Sequence, residues 1–365
     1  MTIRLLFLFR RNRTKQLQDW RNGDGPLDFL HGFPFIDIDR FTCDLAEGDD
    51  RSNDWRRRVC YPMEYLISRT VEIGFSLHIV WIHWNKIKQA DVLVSTVDTC
   101  GLPIAMLKWL GVLRVPVIYI SQGLAHRLLS RTATVSGWVL RSLYSRFLQS
   151  VERVLVFGEG ATGPVVRALG VEMERVFVLQ VAVDVSFWTP AENHVQRDYL
   201  LSVGTDAARD YPTLLGAVGN HNLHIITRQR VSNSVLGSAV RVSSDHSFAQ
   251  LRDLYRAARF VVIPLNDVDQ PSGQSATLQA MACAKAVILT RTQGLWDPDC
   301  MRHMDTCYLV EPRDVDNLKE AINFLYTNPQ EAERIGLNAR RLVESRYTAH
   351  SLAHNLQRHV LEVVA

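Results

Sequence analysis

Ser272, Gly273, Gln274 and Ser275 form a short polar run between an apolar stretch at 260–264 and a small-residue segment that ends at Ala282. A strand that feeds a helix through a glycine-containing turn leaves free backbone N–H groups at the helix start. Those groups and the helix dipole favour an anionic oxygen such as a phosphate. This chemistry requires an apolar strand before the run, a helix after it and a second apolar strand at 287–290. All three fit within about thirty residues, the βαβ economy of a doubly wound sheet.

Similar alternation extends along the chain. Strands are expected at 3–9, 75–80, 91–95, 115–120 and 151–157, and again at 199–203, 223–227, 260–264, 287–290 and 308–310. Nearly continuous Val/Ile/Leu runs are what parallel strands covered on both faces require. The fold class is therefore α/β. The polar, proline-containing stretch 181–194 suits a linker, with a boundary near 185–195. An N-terminal domain over 1–185 and a C-terminal domain over 195–345 follow, with a terminal helix over 346–365 packing back towards the N-terminal domain. The stretch 24–54, with Gly, Pro and clustered acids, reads as a long irregular loop.

A chain of 365 residues favours two domains over one core. With 47% hydrophobic and 22% charged residues it reads as soluble and globular. A formal net charge of +3 is too small to imply nucleic-acid binding. The six cysteines show no CxxC or Cys/His metal spacing and read as reduced cytosolic thiols. The apolar residues 5–9 run straight into Arg10, Arg11 and Arg13, the wrong order for a signal peptide and the right one for a first strand. Lys108, Arg114 and Pro116 break the stretch 101–120, which reads as a buried helix and a strand rather than a membrane span.

Five features in a fixed order resemble the family 4 glycosyltransferases, a group of retaining enzymes with the GT-B fold. They are Arg167-Ala168-Leu169-Gly170-Val171; Val183-Asp184 with Phe187 and Pro190; the run from Leu201 through Gly204 and Arg209 to Leu215; Leu251 with Leu254-Tyr255 and Ala257-Ala258; and the block from Phe260 to Thr290 containing Gln279-Ala280-Met281-Ala282. They cover roughly 150–345 and look like a subgroup with a Ser-Gly-Gln donor loop. The resemblance implies two Rossmann-type doubly wound domains facing across a cleft. The C-terminal one would hold a UDP- or GDP-linked sugar as co-substrate, with no cofactor and no metal.

The resemblance also assigns roles. Arg209 stands where the family has a basic ligand of the donor phosphates, since a guanidinium spans two phosphate oxygens; the alternative is a solvated charge beside Asp210. Gly204 opens this loop, and Thr205 stands where relatives have a second cation, so Arg228 or the amides of Ser272, Gly273, Gln274 and Ser275 would compensate. Of the family's Glu-x7-Glu pair, the first position is Pro271 and the second, the ribose ligand, is Gln279, whose amide can still bind sugar hydroxyls. Gln279 is equally readable as a capped or solvent-facing helix residue. Asp267 or Asp269 stands in for the missing carboxylate, or main-chain groups do. In the N-terminal half, His126 is placed to contact the transferred sugar or simply to sit near the surface at a helix start, and Asp98 is a candidate for acceptor binding or base.

The expected activity is metal-independent, hexosyltransferase-like transfer from a nucleotide sugar to a glycan, lipid-linked or small-molecule acceptor hydroxyl, in polysaccharide or glycolipid assembly. Two alternatives are a degenerate, non-catalytic GT-B protein that binds sugar or supports a partner, and a nucleotide-sugar epimerase of the same fold. Between Thr99 and Val151 there are no acids, while Lys108, Arg114, Arg127, Arg131, Arg141 and Arg146 interleave with Trp109, Leu128, Leu129, Trp138, Leu140, Tyr144 and Phe147. This suggests a cytoplasmic protein touching the inner face of an anionic membrane through 102–149. A mixed, partly buried helix with internally paired arginines is the other reading.

Overall fold

Two units divide the chain, each built on a parallel six-stranded sheet. Unit 1 comprises Met1–Gln18, Phe29–Gln180 and Leu352–Ala365; unit 2 comprises Asp19–Asp28 and Val181–Ser351. The computed structural model describes residues 2–48, 54–129, 135–191, 197–231 and 239–365. Arg131, part of the 185–195 boundary and part of the 24–54 segment lie outside these residues.

In unit 1 the strands are β1 (Ile3–Phe9), β2 (Phe41–Glu47), β3 (Val92–Ser95), β4 (Val117–Ser121), β5 (Arg153–Val156) and β6 (Val176–Val178), in the order β2-β1-β3-β4-β5-β6. The expectation of strand at 75–80 is corrected: Leu77–Ile82 is a helix. A short apolar run fits either state, and tertiary packing decides. Here His78 turns inward and meets the carboxylate of Glu64, on helix Trp55–Val71, at 2.9 Å. Strand β2 falls in the stretch read as irregular. It is an edge strand in register with β1, from Ile3 opposite Phe41 to Phe9 opposite Glu47, and its acids at Asp44 and Glu47 hide the pattern.

Unit 2 contains β7 (Leu200–Val203), β8 (Leu223–Ile226), β9 (Val240–Ser243), β10 (Val261–Ile263), β11 (Val287–Thr290) and β12 (Tyr308–Val310), in the order β12-β11-β10-β7-β8-β9. Alternate residues feed opposite faces, as the strand period of two dictates. Leu201, Val261, Ile263, Val287 and Leu289 enter one buried cluster. Leu200, Ile225, Val262, Ile288 and Val310 enter another. This two-sided burial explains why the central strands read as unbroken apolar runs. Edge strand β9 is only partly buried and carries no such signal.

Candidate functional site

In unit 2, β7 and β10 are neighbours although they are the first and fourth strands in chain order. The chain leaves β7 towards β8 and β9, and returns at β10 to build the other half of the sheet. At such a reversal the loops beyond the carboxyl ends diverge and leave a crevice, the usual ligand position in this architecture.

The two loops at this reversal are cross-linked. Ala208 O accepts from Asn266 N at 2.8 Å, and Pro264 O from Asp210 N at 3.1 Å. Ser272 donates its hydroxyl to Asp206 Oδ1 at 2.5 Å, while Asp206 Oδ2 accepts from Arg209 Nε at 2.9 Å. Asp206 thus clamps both loops. The Arg209 side chain is only 3% exposed, and its Nη1 is buried with no hydrogen-bond partner. A buried guanidinium N–H without an acceptor is costly, and such groups are rare unless a ligand or water completes them.

Gly204 makes this position of Arg209 feasible. A Cβ at Gly204 would lie 2.0 Å from Arg209 Nε, so no other residue leaves room for the guanidinium. Gly273 precedes helix Gln274–Ala282 with φ 75°, a left-handed conformation suited to glycine. A Cβ there would sit 2.8 Å from Ile263 Cγ2 and 3.5 Å from Arg209 Nη1. The orphaned N–H of Arg209 therefore lies close to the amino end of a helix. Asp210 caps the other loop's helix, Tyr211–Ala217, by accepting from Thr213 N at 3.1 Å.

The structure gathers Gly204, Thr205, Arg209, Ser272, Gly273, Gln274 and Ser275 on these two loops. Thr205 Oγ1 accepts from Arg228 N at 3.2 Å, but the Arg228 guanidinium turns to Asp245 at 2.9 Å on the exposed surface. Asp267 accepts from Gln293 N at 2.9 Å and from Gln293 Nε2 at 3.0 Å. Gln279 is buried: its Nε2 donates to Asp28 Oδ2 at 2.9 Å, and its Oε1 accepts from Tyr255 OH at 3.4 Å. Asp28 also accepts from Trp188 Nε1 at 2.9 Å and Asp184 N at 2.7 Å. Burial raises its carboxyl from 3.8 to about 6, against the lowering effect of these bonds. Asp28, Asp184 and Asp206 were not legible as site residues. Asp28 precedes Gln279 by 251 positions, so no local spacing links the two.

Asp98 and His126 belong to unit 1. Asp98 accepts from Tyr119 OH at 2.6 Å and Gln122 N at 3.2 Å, and burial raises its pKa to about 6. Its carboxylate anchors the turn after β4. His126 is half-buried on helix Leu124–Leu129.

The order of the unit 2 strands, with its loops clamped beside a buried arginine, makes comparison with known proteins informative. Residues 206–328 match the family model of glycosyl transferases group 1. The matched stretch contains Asp206, Arg209, the Ser272–Ser275 turn and Gln279. The α-maltose-1-phosphate synthase of Mycolicibacterium smegmatis is 25% identical over 270 residues, 61% of this chain and 65% of that protein. The alignment thus spans just under two thirds of that relative. Among solved structures, Anabaena HepE in complex with UDP-glucose superposes with a TM-score of 0.70 at 13% identity, covering 99% of this chain and 100% of HepE. Sucrose-phosphate synthase from Thermosynechococcus elongatus gives a TM-score of 0.71 at 14% identity, covering 99% of each chain. At these identities the likeness is one of fold: two parallel-sheet, Rossmann-like domains of the GT-B type.

Proposed function

We propose that the protein is a glycosyltransferase that takes a sugar from a nucleotide diphosphate sugar, with the diphosphate seated between the β7 and β10 loops of unit 2. The observation carrying this reading is Arg209 Nη1, buried without a partner beside the amino end of helix Gln274–Ala282. A diphosphate oxygen supplies the missing acceptor, and the helix amides add donors. The group 1 match over the same residues supports the reading, and HepE, of the same fold, was crystallised with UDP-glucose.

In the reaction, the bond between the anomeric carbon and the diphosphate oxygen breaks as the acceptor hydroxyl bonds to that carbon. Negative charge grows on the leaving diphosphate, beside Arg209 and the amino end of helix Gln274–Ala282. Stabilising developing charge with fixed donors is the largest single source of rate in such sites. The acceptor attacks on the face from which the diphosphate departs, so configuration is retained, and its hydroxyl proton passes to a diphosphate oxygen, so no separate base is needed. Neutralisation by these groups also makes a divalent ion unnecessary.

A thermal-shift series with UDP, GDP, ADP and dTDP and their sugars tests the reading, because a ligand of the folded state raises its stability. One nucleotide should raise the melting temperature of the native protein and fail to do so for Arg209→Ala. Absence of any shift would refute donor binding. A second reading, a non-catalytic GT-B protein, is favoured by one observation: Gln279, at the ribose position, has both amide ends engaged within unit 2. Donor binding without sugar transfer to any acceptor would establish it.

A further inference from the structure

Helix Trp55–Val71 of unit 1 turns Cys60, Glu64 and Ile67 towards the core. Its remaining surface is unusually apolar for a surface helix. Leu66 is 69% exposed and Trp55 58%, and Val59, Tyr61, Met63 and Tyr65 are also exposed. Trp81, on helix Leu77–Ile82, is exposed too and packs edge-on against Trp55 at 5.0 Å between ring centroids. Single exposed apolar side chains are ordinary, whereas this many on one helix mark an interaction surface.

The charges specify what it meets. The helix carries Arg56, Arg57, Arg58 and Arg69 and a single acid, Glu64. Glu64 is withdrawn into the unit, where it accepts from His78 N at 2.8 Å and meets His78 Nδ1 at 2.9 Å. Asp54, just before the helix, caps it through Arg56 N at 2.8 Å and pairs with Arg56 at 3.7 Å. Glu72, just after it, pairs with Arg127 at 3.7 Å. The outward face of the helix is thus aromatic, aliphatic and positive. Arg56 lies over the Trp55 ring at 5.7 Å and Arg69 over Tyr65 at 5.9 Å. Tryptophan and tyrosine beside arginine on one helix face suit the boundary between headgroups and acyl chains.

The surface differs from the one expected at 102–149. There Trp109 and Trp138 are exposed, but Lys108 pairs with Glu152 at 2.9 Å, Arg141 donates to Ala168 O, and Leu128, Tyr144 and Phe147 are core residues. Among the described residues no helix is long and apolar enough to cross a membrane.

We propose that helix Trp55–Val71 with Trp81 docks unit 1 onto an anionic lipid bilayer, the helix lying in the interfacial plane. The apolar side chains enter the headgroup layer, and the exposed Arg58 and Arg69 meet lipid phosphates. The proposal stands on unit 1 alone and is independent of the donor site.

Co-sedimentation of the purified full-length chain with phosphatidylcholine vesicles, with and without phosphatidylglycerol, tests it. Binding to the phosphatidylglycerol vesicles at low salt is expected, weakening as salt is added. The double variant Val59→Glu, Leu66→Glu should bind at least about tenfold more weakly, having lost apolar insertion and gained repulsion. Circular dichroism and melting temperature should match the native protein, since both side chains are exposed. Failure to bind anionic vesicles, or equal binding by the double variant, would overturn the proposal. So would a dimer in sedimentation velocity that Leu66→Glu dissociates, with vesicles ignored, because a second copy would then be the occupant.

Discussion

Asp28 Oδ2 accepts from the amide of Gln279 at 2.9 Å, tying the segment Asp19–Asp28 to the helix that follows the Ser272–Ser275 turn. The same carboxylate holds Trp188 and the main chain at Asp184. One side chain thereby joins three stretches of unit 2. Replacing it with alanine leaves buried donors on Gln279 and Trp188 unsatisfied, at about 1–3 kcal/mol each. Urea unfolding of Asp28→Ala should register a loss of at least about 2 kcal/mol in a two-state analysis.

The same carboxyl gives a signed pH dependence. Its folded pKa, about 6, lies above the ordinary 3.8, so folding favours its protonated form. Its contribution is fully present below about pH 4 and is lost as pH rises through about 6. A change of this size corresponds to about 3 kcal/mol. Asp98 adds a similar slope, so the test is differential. Asp28→Asn should lose less stability than the native protein between those pH values; equal slopes would contradict the assignment.

Arg209→Ala should abolish the nucleotide-induced thermal shift and lower transfer by about 10²–10³, the usual effect of removing one preorganised donor. Arg209→Lys keeps the charge but not the fork and should fall between. Gly204→Ala is expected to act like Arg209→Ala, because the new Cβ falls 2.0 Å from Arg209 Nε and displaces the guanidinium. Native-like donor binding by Gly204→Ala would show that the arginine position is unimportant.

Gly273→Ala introduces a side chain at φ 75°, 2.8 Å from Ile263 Cγ2. A loss of at least about 1 kcal/mol is expected, with weaker nucleotide binding as the helix start shifts. Gln274→Ala, at the first helical position, leaves the backbone amides in place. It should keep most of the binding if those amides, not side chains, hold the phosphates.

Since Arg209 and helix amides neutralise the diphosphate in the proposed mechanism, transfer assayed with excess chelator should match transfer with added magnesium. A strict metal requirement would show that the charge is handled by another route.

The sequence alone determined much of the architecture. Strands β1, β3, β4, β5, β7, β8, β10, β11 and β12 are legible because parallel strands largely covered on both faces read as nearly continuous apolar runs. The turn at Ser272–Ser275 was readable because glycine there serves a local need, and Arg209 because it stands in a run that resembles the family 4 pattern. Tertiary structure decided the rest. The run at 75–80 became a helix because His78 finds Glu64 on another helix. Strands β2 and β9 are only partly buried and carry polar residues, so they lack the pattern. Asp206 as a clamp on both loops, Asp28 as the partner of Gln279, and the diversion of Arg228 to Asp245 arise between residues far apart in the chain. No periodicity encodes such pairings, because they depend on where the folded backbone brings each side chain.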